Sequence, residues 1–201
     1  MRIKEEYREE TIINKSRFIA CINRVESEEA ARAYIDQIKK EYPDATHVCH
    51  GYVLNENRSI QRSSDNGEPS GTAGVPILES INHTEIYDVI CCVVRYFGGI
   101  KLGAGGLIRA YAGSTTSALN NAKKTIDDSF HQYSLTYPYD LSGKLETWLR
   151  NNTHAISFDY GELVSCTLET KDDQFTEKIQ DITSGQVTPV FIKDIIHEVE
   201  I

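Results

Sequence analysis

Val93-Val94-Arg95-Tyr96-Phe97-Gly98-Gly99-Ile100-Lys101-Leu102-Gly103-Ala104-Gly105-Gly106-Leu107-Ile108-Arg109-Ala110-Tyr111 runs from an apolar stretch through five glycines into a segment of helical period. It predicts a buried strand, a tight turn and a helix of about 104–121, whose face of Leu107, Ala110, Tyr111, Ser114 and Ala118 packs on a sheet. On that spacing Tyr111 belongs to the core. Glycines this dense cost chain entropy unless the backbone must take φ > 0 or approach another group closely. Packing and ligand binding both create that demand.

Two phosphate motifs can be tested by spacing, and both fail. A P-loop places lysine and a hydroxyl after its second glycine; here Ala104 and Gly105 follow Gly103. A dinucleotide fingerprint matches at Gly103 and Gly105 but meets Ile108 where its third glycine should stand. What survives is a helix N-terminus with unpaired N–H groups, near Arg95, Lys101 and Arg109, as a candidate anion seat.

Working upstream, Ser63-Ser64-Asp65-Asn66-Gly67-Glu68-Pro69-Ser70-Gly71-Thr72-Ala73-Gly74-Val75-Pro76 crowds turn formers together. It reads as a long loop feeding a helix that ends near Asn82, with Pro76 tolerated in the first turn. Asp65, Glu68, Ser70 and Thr72 sit on or beside that loop. Further out, extended segments are expected near 3–13 and 17–25, then a helix capped by Ser27 whose apolar face is Ala31, Tyr34, Ile35 and Ile38. Strands follow near 46–54 and 86–97.

The two long segments closely resemble the paired signatures of the IMPACT family, in its bacterial YigZ-like branch. Supporting matches are Lys15-Ser16-Arg17-Phe18-Ile19 and Asp44-Ala45-Thr46-His47. The motif resemblance covers about residues 10–122; the remainder agrees only in length and element order.

Downstream, Lys123 to about residue 130 is polar, loses the apolar period and reads as a linker. The order then becomes strand (131–139), helix (141–152), strand (155–160), strand (163–170), helix (172–183) and strand (187–199). This βαββαβ order is that of a ferredoxin-like domain. Trp148 reads as core there, and nothing in this half suggests catalysis. The fold expected is therefore α+β in two domains, 1–122 and 131–201.

The chain has 201 residues, of which 40% are hydrophobic and 25% charged, as in ordinary globular proteins. No apolar run is long enough to span a bilayer, and Met1-Arg2-Ile3-Lys4-Glu5-Glu6 lacks a signal-peptide core, so a cytoplasmic location and no membrane partner are expected. Five cysteines without a C-x-x-C are expected as reduced thiols, with Cys91 and Cys92 packing on opposite faces of a strand. His47 and Cys49 share a strand face while His50 points away, with no second ligand pair, so no metal is expected. No cofactor is expected either.

Residues 1–122 carry 14 Lys/Arg against 16 Asp/Glu, a net of −2; residues 123–201 carry 7 against 14, a net of −7. Generic electrostatic binding of nucleic acid is disfavoured, DNA is not expected, and contact with RNA has to be local and shaped.

The resemblance implies an N-terminal α/β sandwich like a small-subunit ribosomal protein domain and domain four of elongation factor G. A C-terminal domain like that factor's domain five is implied to follow. It also implies a setting in translation. Eukaryotic relatives act through an additional N-terminal domain, so their specific partner is not carried over. Two readings stay open. In one, a non-enzymatic regulatory protein contacts ribosome, RNA or a translation factor, and no residue is catalytic. In the other, a small phosphorylated or anionic metabolite is bound or turned over, with Asp65 and Glu68 as acid–base groups. Candidate binding residues for either are Asp65, Glu68, Ser70, Thr72, Arg95, Tyr96, Gly98, Gly99, Lys101, Gly103, Gly105, Gly106 and Arg109.

Overall fold

A computed structural model describes residues 1–201. The chain divides into two compact units, one of Met1–Ile126 with Glu200–Ile201 and one of Asp127–Val199. Its architecture is mixed α+β, with five α-helices and two sheets.

The first unit is built on an antiparallel sheet in the order β2 (Tyr7–Ile13), β3 (Ser16–Arg24), β6 (Val89–Tyr96), β4 (His47–Leu54), β5 (Ile60–Ser64). Central β6 reads Val-Ile-Cys-Cys-Val-Val-Arg-Tyr and is buried through Arg95. The run is nearly unbroken because helices cover both faces, so neither set of alternating side chains meets water. Val89, Cys91 and Val93 join the core under α2 (Gly74–Asn82) and α3 (Gly103–Asn121). Ile90, Cys92 and Val94 join the core under α1 (Glu28–Glu41). Cys91 and Cys92 thus lie on opposite faces, and all five thiols are free and buried. Helix α1 begins as its sequence indicates: the Ser27 hydroxyl accepts the Ala30 N–H at 3.1 Å, and Ala31, Tyr34, Ile35 and Ile38 are buried.

Three expectations need correction. The first extended segment is broken: β1 is only Arg2–Ile3 and pairs with the start of β7 (Lys124–Tyr137). Residues 123–130 are not a linker, because that strand begins at Lys124 and runs through the boundary between the units. From Ile126 to Phe130 the even positions are half-buried or buried while Asp127 and Ser129 are exposed, a period of two carried largely by polar residues and so without an apolar signature. Strand β5 was not anticipated, since Ile-Gln-Arg-Ser-Ser is a polar edge strand, exposed or half-buried along its length.

The second unit has the strand order β10 (Val190–Glu200), β7, β9 (Val164–Thr170), β8 (His154–Tyr160), which is the ferredoxin-like arrangement for a βαββαβ chain. Helices α4 (Ser142–Asn152) and α5 (Phe175–Ile182) bury Leu145, Leu149, Phe175 and Ile179 against Leu135, Val164, Cys166 and Leu168. Trp148 is partly buried and stacks at a tilt on Phe175, with centroids 6.3 Å apart.

Candidate functional site

The long loop is organised by one carboxylate. Asn66 and Gly67 take φ of 41° and 90°, and the Glu68 N–H closes the turn on the Asp65 carbonyl at 3.0 Å. The Asp65 side chain then reaches forward. Its carboxylate accepts the N–H groups of Gly71 at 2.9 Å, Ala73 at 3.0 Å and Gly74 at 2.8 Å. Ala73, at the helix cap, has no side-chain acceptor to offer, so Asp65 caps α2 from upstream. Burial acts to raise the Asp65 pKa, but the three backbone donors prevail and hold it below its ordinary value. Gly74 cannot carry a side chain here, because a Cβ would lie 2.6 Å from the Ser64 backbone.

That turn delivers Glu68 to the interior, where its side chain is 3% exposed. Glu68 Oε1 accepts from Arg95 Nη1 at 2.6 Å and from the Tyr111 hydroxyl at 2.8 Å. Arg95 comes from the end of β6, is 6% exposed and lies between the rings of Phe18 and Phe97, 5.5 and 5.6 Å from their centroids. Its Nε has no hydrogen-bond partner. A buried ion pair of this kind fixes geometry more than it adds stability. Tyr111 was expected only as core; it is fully buried, yet its hydroxyl ties α3 to Glu68 and also meets Cys49 Sγ at 3.4 Å. Burial pushes the Cys49 thiol up to about 12, which disfavours the reactive thiolate.

Beside this pair lies a pocket of about 480 Å³, bounded among others by His47, Glu68, Arg95, Lys101, Phe97 and the start of α3 at Gly103. His47 Nδ1 lies 3.0 Å from the Asn66 carbonyl, an atom that can only accept, so Nδ1 carries the hydrogen. In the neutral ring the lone pair is then on Nε2, which is 3.9 Å from Glu68 Oε2. Lys101 is exposed, and Leu102 provides no side-chain cap to α3. With Glu68 and Arg95 cancelling one another, the lysine and the helix N-terminus leave this end of the pocket positive.

Of the residues singled out in the sequence, Glu68, Arg95, Lys101 and Gly103 line this pocket. Asp65 works from behind as a cap. Thr72 is buried, its hydroxyl donating to the Pro69 carbonyl at 2.7 Å, while Ser70 is exposed on the loop. Tyr96 lies under Arg17, 5.1 Å from ring to guanidinium. Gly98 is a packing glycine: a Cβ there would lie 2.0 Å from the Lys15 carbonyl carbon, and its N–H donates to the Ser16 hydroxyl at 3.2 Å. Gly99, Gly105, Gly106 and Arg109 do not line the pocket. Of the two demands expected of these glycines, close backbone approach is met at Gly98 and positive φ at Gly99 and Gly103. His47 was set aside in the sequence with the metal reading; its position on the Cys49 face of the strand was the available signal.

A family model described as the Impact N-terminal domain matches residues 14–119. IMPACT family member YvyE of Bacillus subtilis is 40% identical over 188 residues, covering 92% of this chain and 87% of that protein. IMPACT family member YigZ of Escherichia coli is 32% identical over 188 residues, covering 90% and 92%. A crystal structure titled only as that of a hypothetical protein superposes with a TM-score of 0.59 at 30% identity, covering 95% of this chain and 96% of that one. The glycine-rich turn, the Asp65 loop and the pocket between them all fall inside the matched domain, and the chain belongs to the IMPACT family.

Proposed function

We propose that this chain is a non-enzymatic, translation-associated binding protein that contacts ribosomal RNA through the pocket of its first unit. The observation that carries the reading is the joint placement of Lys101 and the uncapped start of α3 at a pocket whose wall holds the buried Glu68–Arg95 pair. A helix N-terminus and an adjacent ammonium recognise phosphate by the same physics wherever they occur. The first 122 residues have a net charge of only −2, so the contact is local, with few phosphates neutralised. The translational setting comes from the resemblance of the two long motifs.

The alternative, turnover of a small anionic metabolite, would use Asp65 and Glu68 as acid and base. Asp65 is committed to three backbone donors and held ionised, and Glu68 Oε1 is committed to Arg95 and Tyr111, which favours binding over catalysis. The test is sedimentation with ribosomes through sucrose gradients at low and moderate salt. Co-migration that weakens as salt rises, and that Lys101→Glu abolishes, is the expected result. Wild-type protein remaining at the top of the gradient at both salts would overturn it. Arg95→Ala is the wrong probe, since it breaks a buried pair and disturbs the fold.

A further inference from the structure

Phe97 is an aromatic residue held partly in water at a point where the backbone is tied on both sides. Its N–H donates to the Thr46 hydroxyl at 3.0 Å. The next residue, Gly98, presses against the Lys15 carbonyl and donates its own N–H to the Ser16 hydroxyl. One side of the ring lies on the Arg95 guanidinium, 5.6 Å from the ring centroid to Cζ. The residue nevertheless stays 46% exposed at the edge of the pocket. A rigid aromatic left in water carries a hydrophobic cost that is recovered when a flat or apolar group covers it.

The surroundings carry a second mark of a ligand, and it is polar. Arg95, almost wholly buried, lines the same pocket, and its Nε–H has no acceptor although Nη1 is taken by Glu68. An unmade hydrogen bond in a pocket wall points to a ligand rich in acceptor atoms. Two lysines stand nearby: Lys101 lines the pocket, and Lys15 occupies the turn against which Gly98 packs. Both are exposed and neither has an acidic partner, whereas Glu68 and Glu10 are already taken by Arg95 and Arg17. A nucleotide matches all of these features, with a base to cover the ring, carbonyl and phosphate oxygens to accept, and negative charge for the lysines. Inside a duplex both faces of a base are taken by its neighbours, so the base has to be unpaired.

We propose that Phe97 is a stacking platform for one unpaired base of RNA, with Arg95 backing the ring and Lys101 and Lys15 taking the flanking phosphates. This rests on the RNA reading above and deepens it, by naming the form of RNA, single-stranded rather than duplex, and the surface that receives it. Stacking uses the π-face that every base has, so the site tolerates many sequences. Arg95 stands between the core ring of Phe18 and the surface ring of Phe97, so its buried pair with Glu68 also fixes how the platform is presented.

Fluorescence anisotropy on the intact chain tests this with a short single-stranded RNA of mixed sequence, the same strand annealed to its complement, and a strand of equal length made of abasic units. Wild-type protein should bind the single strand about tenfold or more tighter than the duplex or the abasic strand, the weight of one stacked base. Phe97→Leu, which keeps an apolar side chain without a ring, should lower single-strand affinity to the abasic level, and Phe97→Trp should preserve it. Lys101→Glu should weaken the single and the abasic strand alike. Thermal melting checks that the variants fold; should Phe97→Leu not fold, the abasic strand on wild-type protein still decides. Equal affinity of wild type and Phe97→Leu for the single strand, or of wild type for the single and the abasic strand, would overturn the platform while leaving phosphate contact standing. Absence of binding to every strand would overturn both. Binding of poly-glutamate that Phe97→Leu weakens, with RNA binding unaltered, would assign the ring to an acidic protein and overturn the base.

Discussion

The two units differ in how their buried charge is held. In the first, helices on both faces of the sheet leave no polar face, and the charges that enter the interior are paired with fixed partners: Glu68 with Arg95, and Asp65 with three backbone N–H groups. In the second, most ion pairs lie near the surface, such as Lys178–Asp172 at 2.6 Å and His131 between Asp194 at 2.6 Å and Asp173 at 3.3 Å, and the buried carboxylate of Glu169 meets an exposed ring, that of His197, at 2.6 Å. Surface pairs of that kind contribute about 0–1 kcal/mol each, whereas breaking a buried pair costs about 3–5 kcal/mol. The stability of the first unit is thus sensitive to single charges, and that of the second to its apolar core. Buried, pre-oriented charge is also what a recognition site needs.

The comparison breaks most readily at Arg95. Arg95→Ala should cost about 3–5 kcal/mol by stranding the Glu68 carboxylate, whereas in the second unit it takes a core truncation, Phe175→Ala, to cost as much. Urea titration followed by amide circular dichroism measures both. Trp148, the only tryptophan, lies in the second unit, so its fluorescence should register Phe175→Ala more strongly than Arg95→Ala. Equal effects on that signal would erase the contrast.

Asp65→Ala comes next, at about 1–2 kcal/mol for a lost helix cap. The pH dependence has a definite sign. The folded-state pKa of Asp65 is depressed, so its stabilisation is complete above the unfolded value of about 3.9 and is lost as pH falls through the folded value. Asp65→Ala should therefore flatten the acid limb of the stability curve. His131 works the other way and more weakly. The Asp194 hydrogen bond raises its pKa, outweighing a small desolvation and aided by Asp173, so its contribution is complete below the unfolded value of about 6.5 and is lost as pH rises through the folded one. Replacing His131 with Gln should remove that small loss near neutrality, read from melting curves across pH. Smallest of all, Ile196→Thr, on a strand position 68% exposed, should change stability by no more than about 0.5 kcal/mol.

Much of this was legible beforehand, for reasons that are physical. Central β6 and helices α1 and α3 announce themselves because apolar residues recur at the strand and helix periods, and the βαββαβ order of the second unit is legible for the same reason. Strand β5 and the first half of β7 were not, because edge and solvent-facing strands carry polar residues that look like loop. At the site, the sequence brought forward Glu68, Arg95, Lys101 and Gly103, but it could not tell Asp65 from Glu68. Three residues apart on one loop, they diverge because the Asn66-Gly67 turn leaves one carboxylate facing forward to the start of α2 and sends the other into the core. His47 and Tyr111 were passed over because their roles depend on contacts with residues 21 and 43 positions away.

The most direct test of the account sets matched charge reversals in the two units against each other. Lys101→Glu and Lys144→Glu remove the same charge from exposed positions, one at the pocket and one on α4. In sucrose gradients with ribosomes at low salt, wild type and Lys144→Glu should co-migrate with a ribosomal subunit while Lys101→Glu stays at the top. Equal loss from both variants, or retention of Lys101→Glu, would contradict a contact made through the pocket of the first unit.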